Sequence, residues 1–236
     1  RKSVINGSQN LLTKCQSIEM VMDAFFQIGR LSSGGVSELR GNGQLINKKI
    51  LIESGSFNED TVTDDLDLSV RLLLFGSEIG ILWDPPVMEE AVETLPALFA
   101  QRQRWAEGGL QRFFDYGSDL IFGKINSLKK FDIFYFFILQ YALPIISLSD
   151  LVSSLFFMRT PIYLPISITA FVLSAIASWF GCNRNEGISA LPNSNFVSIL
   201  IYLFYLSHWF IIIPFVTLKM SIFQKKLLWK KTLHKG

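Results

Sequence analysis

The sequence predicts an α/β unit followed by an α-helical membrane region. Half of the 236 residues are hydrophobic and the mean hydropathy is +0.34, too apolar for a water-surrounded domain with so few charges in its second half. Apolar runs at residues 131–157, 161–180 and 196–218 each reach the roughly 20 residues needed to cross a bilayer core. Ahead of them, short apolar patterns of helical and strand type alternate with Gly and Pro breakers, which suits a small α/β unit of about ninety residues.

Ile18, Val21, Met22, Phe25, Phe26 and Ile28 fall at helical spacing, so residues 14–30 read as an amphipathic helix that Gly34-Gly35 ends. Gly41-Asn42-Gly43 introduces a strand candidate at 44–47, and a helix from Lys48 should stop at Gly55. Another helix begins at Thr63. Its stripe of Leu66, Val70, Leu73 and Leu74 should pack against a sheet, and Gly76 should end it. Residues 79–83 form a strand candidate stopped by Asp84-Pro85-Pro86. Residues 93–116 mix Leu, Phe and Trp with Arg102, Arg104 and Arg112, as a helix on a membrane surface would. The expected organisation is therefore residues 1–92 as the α/β part, 93–130 as interface helices, 131–218 as the membrane region and 219–236 as a basic cytoplasmic tail.

Charge placement constrains topology. Lys124, Lys129 and Lys130 precede the first run and a Lys-rich tail follows the third, so both ends should face the cytoplasm. An even number of crossings follows, with the first run, interrupted by Pro144 and Asp150, as the one that does not cross. The tail matches anionic headgroups better than nucleic acid, because no aromatic stacking platform accompanies it. Cys15 and Cys182 support no disulfide framework. Two histidines, no Cys cluster, no phosphate loop and no nucleophile elbow argue against zinc, haem and several hydrolase chemistries; a hard cation held by carboxylates and phosphate remains compatible.

Two clusters can carry chemistry. Thr63-Asp64-Asp65 opens a helix, and acids in a first turn are ordinary helix chemistry. Alternatively, Asp67 adds a third charge, and repulsion raises one carboxylate's proton affinity toward that of a general base. In Gln101-Arg102-Gln103-Arg104-Trp105, Gln101, Arg104 and Trp105 share a helical face. They suit a nucleotide diphosphate and a sugar ring, or equally lipid phosphates and an interfacial aromatic belt. Gly41, Asn42 and Gly43 allow close backbone approach to a substrate or form a tight turn. Glu89, Glu90 and Glu93 read as a polar rim, and His208 as a buried hydrogen-bonding residue.

Thr63-Asp64-Asp65 resembles the Thr-Glu-Asp signature, and Gln101-Arg102-Gln103-Arg104-Trp105 the Gln-x-x-Arg-Trp signature, of the membrane-embedded family 2 glycosyltransferases. Glu38-Leu39-Arg40-Gly41-Asn42-Gly43-Gln44, Thr63-Asp64-Asp65-Leu66-Asp67-Leu68, residues 101–116 and the ending Trp229-Lys230-Lys231-Thr232-Leu233-His234-Lys235-Gly236 are similar to its lipid-glucosylating branch. The resemblance implies a GT-A nucleotide-sugar transferase fold facing the cytoplasm, an inverting mechanism, UDP-glucose as donor, diacylglycerol as acceptor and a divalent cation such as Mg2+. It makes Asp65 the general base with Asp64 beside it in place of the family's Glu. Gln101 and Arg104 would hold the diphosphate, Trp105 would border the sugar, and the Gly41-Asn42-Gly43 backbone would lie near substrate. A processive polysaccharide synthase shares both signatures. The sequence opens inside what reads as a folded region and shows no Asp-x-Asp donor motif before Glu38, so it is read as the acceptor and catalytic half of a longer enzyme. By itself it is expected to be inactive.

Overall fold

A computed structural model describes residues 1–184, 191–192 and 194–223. Beyond Phe223 the expected basic tail lies outside the described residues, as does the 229–236 ending. The described chain is mostly helical. It runs β1 (Lys2–Val4), α1 (Leu11–Ser32), α2 (Lys48–Glu53), α3 (Asp64–Leu74), β2 (Val87–Glu89), α4 (Leu95–Phe122), α5 (Ser127–Phe137), α6 (Leu143–Phe156), α7 (Leu164–Cys182), α8 (Phe196–Leu206) and α9 (Trp209–Ile222).

The amphipathic stripe at 14–30 lies within α1, which starts earlier because Asn10 and Thr13 form a reciprocal capping box. Strands β1 and β2 pair in parallel, with Lys2 opposite Val87 and Val4 opposite Glu89. Side chains then continue the pairing. The Asn6 amide donates to the Ala91 carbonyl at 2.9 Å and accepts from its N–H at 2.8 Å, and Gln16 does the same with Val92 at 2.8 and 3.2 Å. These two amides fix the path into α4.

Neither predicted strand forms. Residues 44–47 belong to no strand, and Leu45 stands in solvent. Around residues 79–83 the carbonyls are taken by non-strand donors: the Arg1 ammonium reaches Leu82, Arg1 Nε reaches Trp83, and the Ser37 hydroxyl reaches Ile79. The strand comes after Pro86, once the prolines no longer deny a donor. Helix α3 packs on α4 rather than on a sheet, because two three-residue strands offer no face wide enough to cover its stripe. Val70 and Leu73 share a core with Val36 and Leu120, ringed by Phe113, Tyr116 and Ile133.

Among the described residues, three helical stretches are long and apolar enough to cross a membrane: Ser127–Phe156, Leu164–Cys182 and Phe196–Ile222. The first is not interrupted at Pro144 or Asp150. A π-helical turn, Ile138–Ala142, joins α5 to α6 and places Pro144 in the first turn of α6, where its missing N–H matters least. Asp150 accepts from Arg159 at 2.7 Å and from the Tyr163 N–H at 2.9 Å. The third stretch is interrupted instead by a turn at Ser207-His208, where His208 Nδ1 meets the Tyr205 carbonyl at 2.5 Å.

These helices share cores with the N-terminal part. Cys15, Ile18 and Val21 of α1 pack with Cys182, Ile199 and Tyr202, while Ala106 and Leu110 of α4 pack with Tyr141, Ile212, Ile213 and Val216. Both cysteines are free and buried.

Candidate active site

The site is built where the start of α3 meets α4. Gly108 makes the approach possible, because a β-carbon there would collide with the side chain of Thr63. Thr63 ends up buried at the N-cap position, yet its hydroxyl makes no cap hydrogen bond, so the expected capping role is corrected to packing. One turn beyond Gly108, Gln111 accepts from the Val62 N–H at 3.1 Å and steadies the chain entering α3.

That docking brings Asp64 and Asp65 close enough to Arg104 to influence it. Burial lowers the proton affinity of the Arg104 guanidinium, and Asp65 and Asp64 oppose the shift. Asp64 is exposed and Asp65 half-buried. Asp65 Oδ2 accepts from the Gly41 N–H at 2.6 Å. Its pKa is raised above the ordinary 3.8, first by burial, while the Leu66 and Gly41 N–H groups and Arg40 pull it down and Asp64 adds a small upward push. The expected cause, repulsion within a triple-acid cluster, is thus replaced by desolvation. Asp67 takes no part: buried in α3, it binds Arg71 Nε at 2.7 Å and accepts from the Tyr116 hydroxyl at 2.8 Å; burial first, and then this bond to Asp67, push that phenol up to about 12.

Gly41, Asn42 and Gly43 form an exposed turn beside Asp65. Gly41 and Gly43 sit at φ +67° and +73°, where L side chains are strained, and Gly43 lies against Val87 of β2 with no room for a β-carbon. Residues just before the turn, overlooked in the sequence as site-forming groups, hold it. Glu38 accepts from Arg112 at 2.5 Å and Arg40 at 2.9 Å, with Arg30 at 3.9 Å; Arg40 also grips Asp23 at 3.1 Å. The Leu39 N–H donates to Ser69 Oγ, which donates to the Asp65 carbonyl. Burial would raise the Glu38 pKa, but Arg112, Arg40 and Arg30 together hold it at about 2. The one available signal was the acid–base alternation in Glu38-Leu39-Arg40.

Residues Gln101, Arg104, Trp105 and Gly108 lie on one face of α4 by spacing. Gln101 Oε1 is buried without a hydrogen-bond partner, and Trp105 is half-buried under Arg102, whose guanidinium carbon is 3.9 Å from the ring centroid. Arg102 and Arg112 do not meet lipid phosphates, since both are buried in ion pairs, with Glu19 and Glu38 respectively. Among the described residues no three His, Cys, Asp or Glu side chains converge, and Asp65 faces a guanidinium and a backbone N–H. The residues present do not by themselves fit a divalent cation.

The arrangement puts a half-buried carboxylate within the field of a guanidinium and beside a turn of two positive-φ glycines. Residues 2–222 match the family described as glycosyl transferase family group 2. The chain is 42% identical to the β-monoglucosyldiacylglycerol synthase of Synechocystis over 99% of its length and 50% of that protein, and 37% identical to the Nostoc synthase over all of its length and 51% of that protein. A rice protein named as a probable glucomannan 4-β-mannosyltransferase is 27% identical over 75% of this chain and 31% of its own length. The chain thus spans about half the length of the curated relatives it matches most fully. No solved structure matches it. On the match over residues 2–222, the chain belongs to glycosyl transferase family group 2.

Proposed function

We propose that this chain is the acceptor and catalytic half of an inverting glycosyltransferase with a GT-A fold, which moves glucose from UDP-glucose to a hydroxyl of 1,2-diacylglycerol at the cytoplasmic face of a membrane. The observation that carries the reading is Asp65, half-buried and fixed by the Gly41 N–H within the field of Arg104. The two synthases alike over the whole of this chain support the sugar and the lipid.

In this mechanism the Asp65 carboxylate takes the proton of the acceptor hydroxyl as its oxygen attacks the anomeric carbon. The bond from that carbon to the diphosphate breaks and UDP leaves with the electron pair. Arg104 and Gln101 hold the departing diphosphate, with the guanidinium opposing its developing charge. Trp105 borders the sugar, and Asp64 adds negative potential beside the base. The glycine turn lines the acceptor path, and the apolar helices keep a lipid acceptor within reach. The family generally uses a divalent cation, and its ligands are assigned to residues outside this chain.

A second reading, a processive polysaccharide synthase, is favoured by the likeness to the rice mannosyltransferase. Full-length protein in bacterial membranes, given radiolabelled UDP-glucose and diacylglycerol, separates them. The proposal predicts label in a single-sugar lipid that disappears in Asp65→Asn. Label in precipitable polymer would move the assignment to the second reading, and no label in either would sink both.

A further inference from the structure

Arg102 occupies a variable place inside the Gln-x-x-Arg-Trp signature, yet it is the largest fully buried side chain among the described residues. Its Nη2 donates to Glu19 of α1 at 2.5 Å and to the Tyr205 hydroxyl of α8 at 3.0 Å. Glu19 also accepts from the Tyr205 hydroxyl at 2.6 Å and from Trp209 Nε1 of α9 at 3.3 Å. The remaining Arg102 nitrogens, Nε and Nη1, find no hydrogen-bond partner. The guanidinium lies over Trp105 at 3.9 Å, with Trp209 farther away at 5.7 Å. A buried cation with two unsatisfied nitrogens needs that aromatic face. The indole is therefore held by the cation, and the cation by Glu19.

We propose that Glu19 and Arg102 are a positioning pair: they seat Trp105 for the sugar and tie that seat to the junction between α8 and α9. The proposal rests on the transferase reading above, in which Trp105 borders the sugar. It assigns to the apolar helices a part in setting the donor site, beyond retaining a lipid. A lysine is not equivalent to Arg102: one ammonium can donate to Glu19 and Tyr205 as Nη2 does, but it brings no planar delocalised cation to the Trp105 ring.

The test is a double-mutant cycle in the full-length enzyme, with Arg102→Lys, Trp105→Leu and both, each checked for membrane insertion and monodisperse extraction in detergent. A pair acting through one ring predicts that either change lowers kcat/KM for UDP-glucose about tenfold and that both together cost no more than the worse single change. Losses that multiply, or an Arg102→Lys enzyme with unchanged kcat/KM, would overturn it. Should Arg102→Lys fail to insert, the cycle is read with Tyr205→Phe, which removes the hydroxyl's two hydrogen bonds, one to each member of the pair, and keeps its charges. Wild-type enzyme that transfers no sugar would overturn the transferase reading and this one together, whereas active wild type with multiplying losses overturns this one alone.

Discussion

Asp65 shows how one carboxylate is set apart from its neighbours. Asp64 stands in solvent, Asp67 is consumed by Arg71 and Tyr116, and Asp65 alone is both partly desolvated and bonded to the backbone of a glycine turn. Because burial raises its pKa, and a base must be ionised to act, kcat/KM should be full above that raised value and fall as pH drops through it. A pH profile should place the acid limb above the ordinary carboxylate value of 3.8, and a limb at or below it would contradict the desolvated base. Gly108 makes a second residue-scale prediction. Gly108→Ala drives a methyl into Thr63, and overpacking of this kind costs about 1–3 kcal/mol. Thermal unfolding should register the loss, and Thr63→Gly in the same chain should recover most of it. The sequence marks Asp65 as a candidate by its place in a helix first turn and Arg104 by its helical face. The partners of Gly108 and Arg102 were not, since Thr63 and Glu19 lie far away in sequence and only the fold joins them.

At the scale of elements, the helices were readable and the strands were not. Period, caps and glycine stops belong to one segment, so α1, α3 and the apolar runs could be drawn from local pattern. Residues 79–83 have the composition of a strand, but a strand needs a ladder, and here Arg1 and Ser37 take the carbonyls. The packing of α3 was misjudged for the same reason, because α4 supplies the apolar face that a sheet was expected to give. The segment from Glu38 to Gly43 carries its order in ion pairs. With an ordinary pKa of 4.5 held down to about 2, Glu38 contributes about 3 kcal/mol of stability, present above the ordinary value and lost as pH falls toward 2. Glu38→Gln leaves Arg112, Arg40 and Arg30 short of a buried counter-charge, and should lower stability at neutral pH by about 3 kcal/mol. Denaturation followed between pH 2 and 7 would then show the variant losing less than the parent on acidification. An equal acid loss in both would remove Glu38 from this role.

Across the whole molecule, the N-terminal part and the apolar helices are not separate bodies. Helix α1 shares a core with α7 and α8, and α4 shares one with α6 and α9. Lys219 near the end of α9 pairs with buried Glu107 of α4 at 2.5 Å, and Arg30 grips Asp132 in the second turn of α5 at 2.8 Å. The sequence reading divides the chain into an α/β part and a membrane region, because hydropathy separates the two and says nothing of contacts between them. What the packing adds is a rigid relation between the start of α3, the signature on α4 and helices fit to lie in lipid. On the proposed function, that relation sets where a lipid acceptor's hydroxyl meets Asp65.

The central claim is that Asp65, and not its neighbour, is the base. The most direct measurement is kcat of the full-length enzyme for transfer from UDP-glucose to diacylglycerol, compared among wild type, Asp64→Asn and Asp65→Asn. General-base removal predicts a loss of roughly 10²- to 10⁴-fold for Asp65→Asn and a much smaller one for exposed Asp64→Asn. Equal losses at the two positions, or an Asp65→Asn enzyme within a few-fold of wild type, would contradict the account.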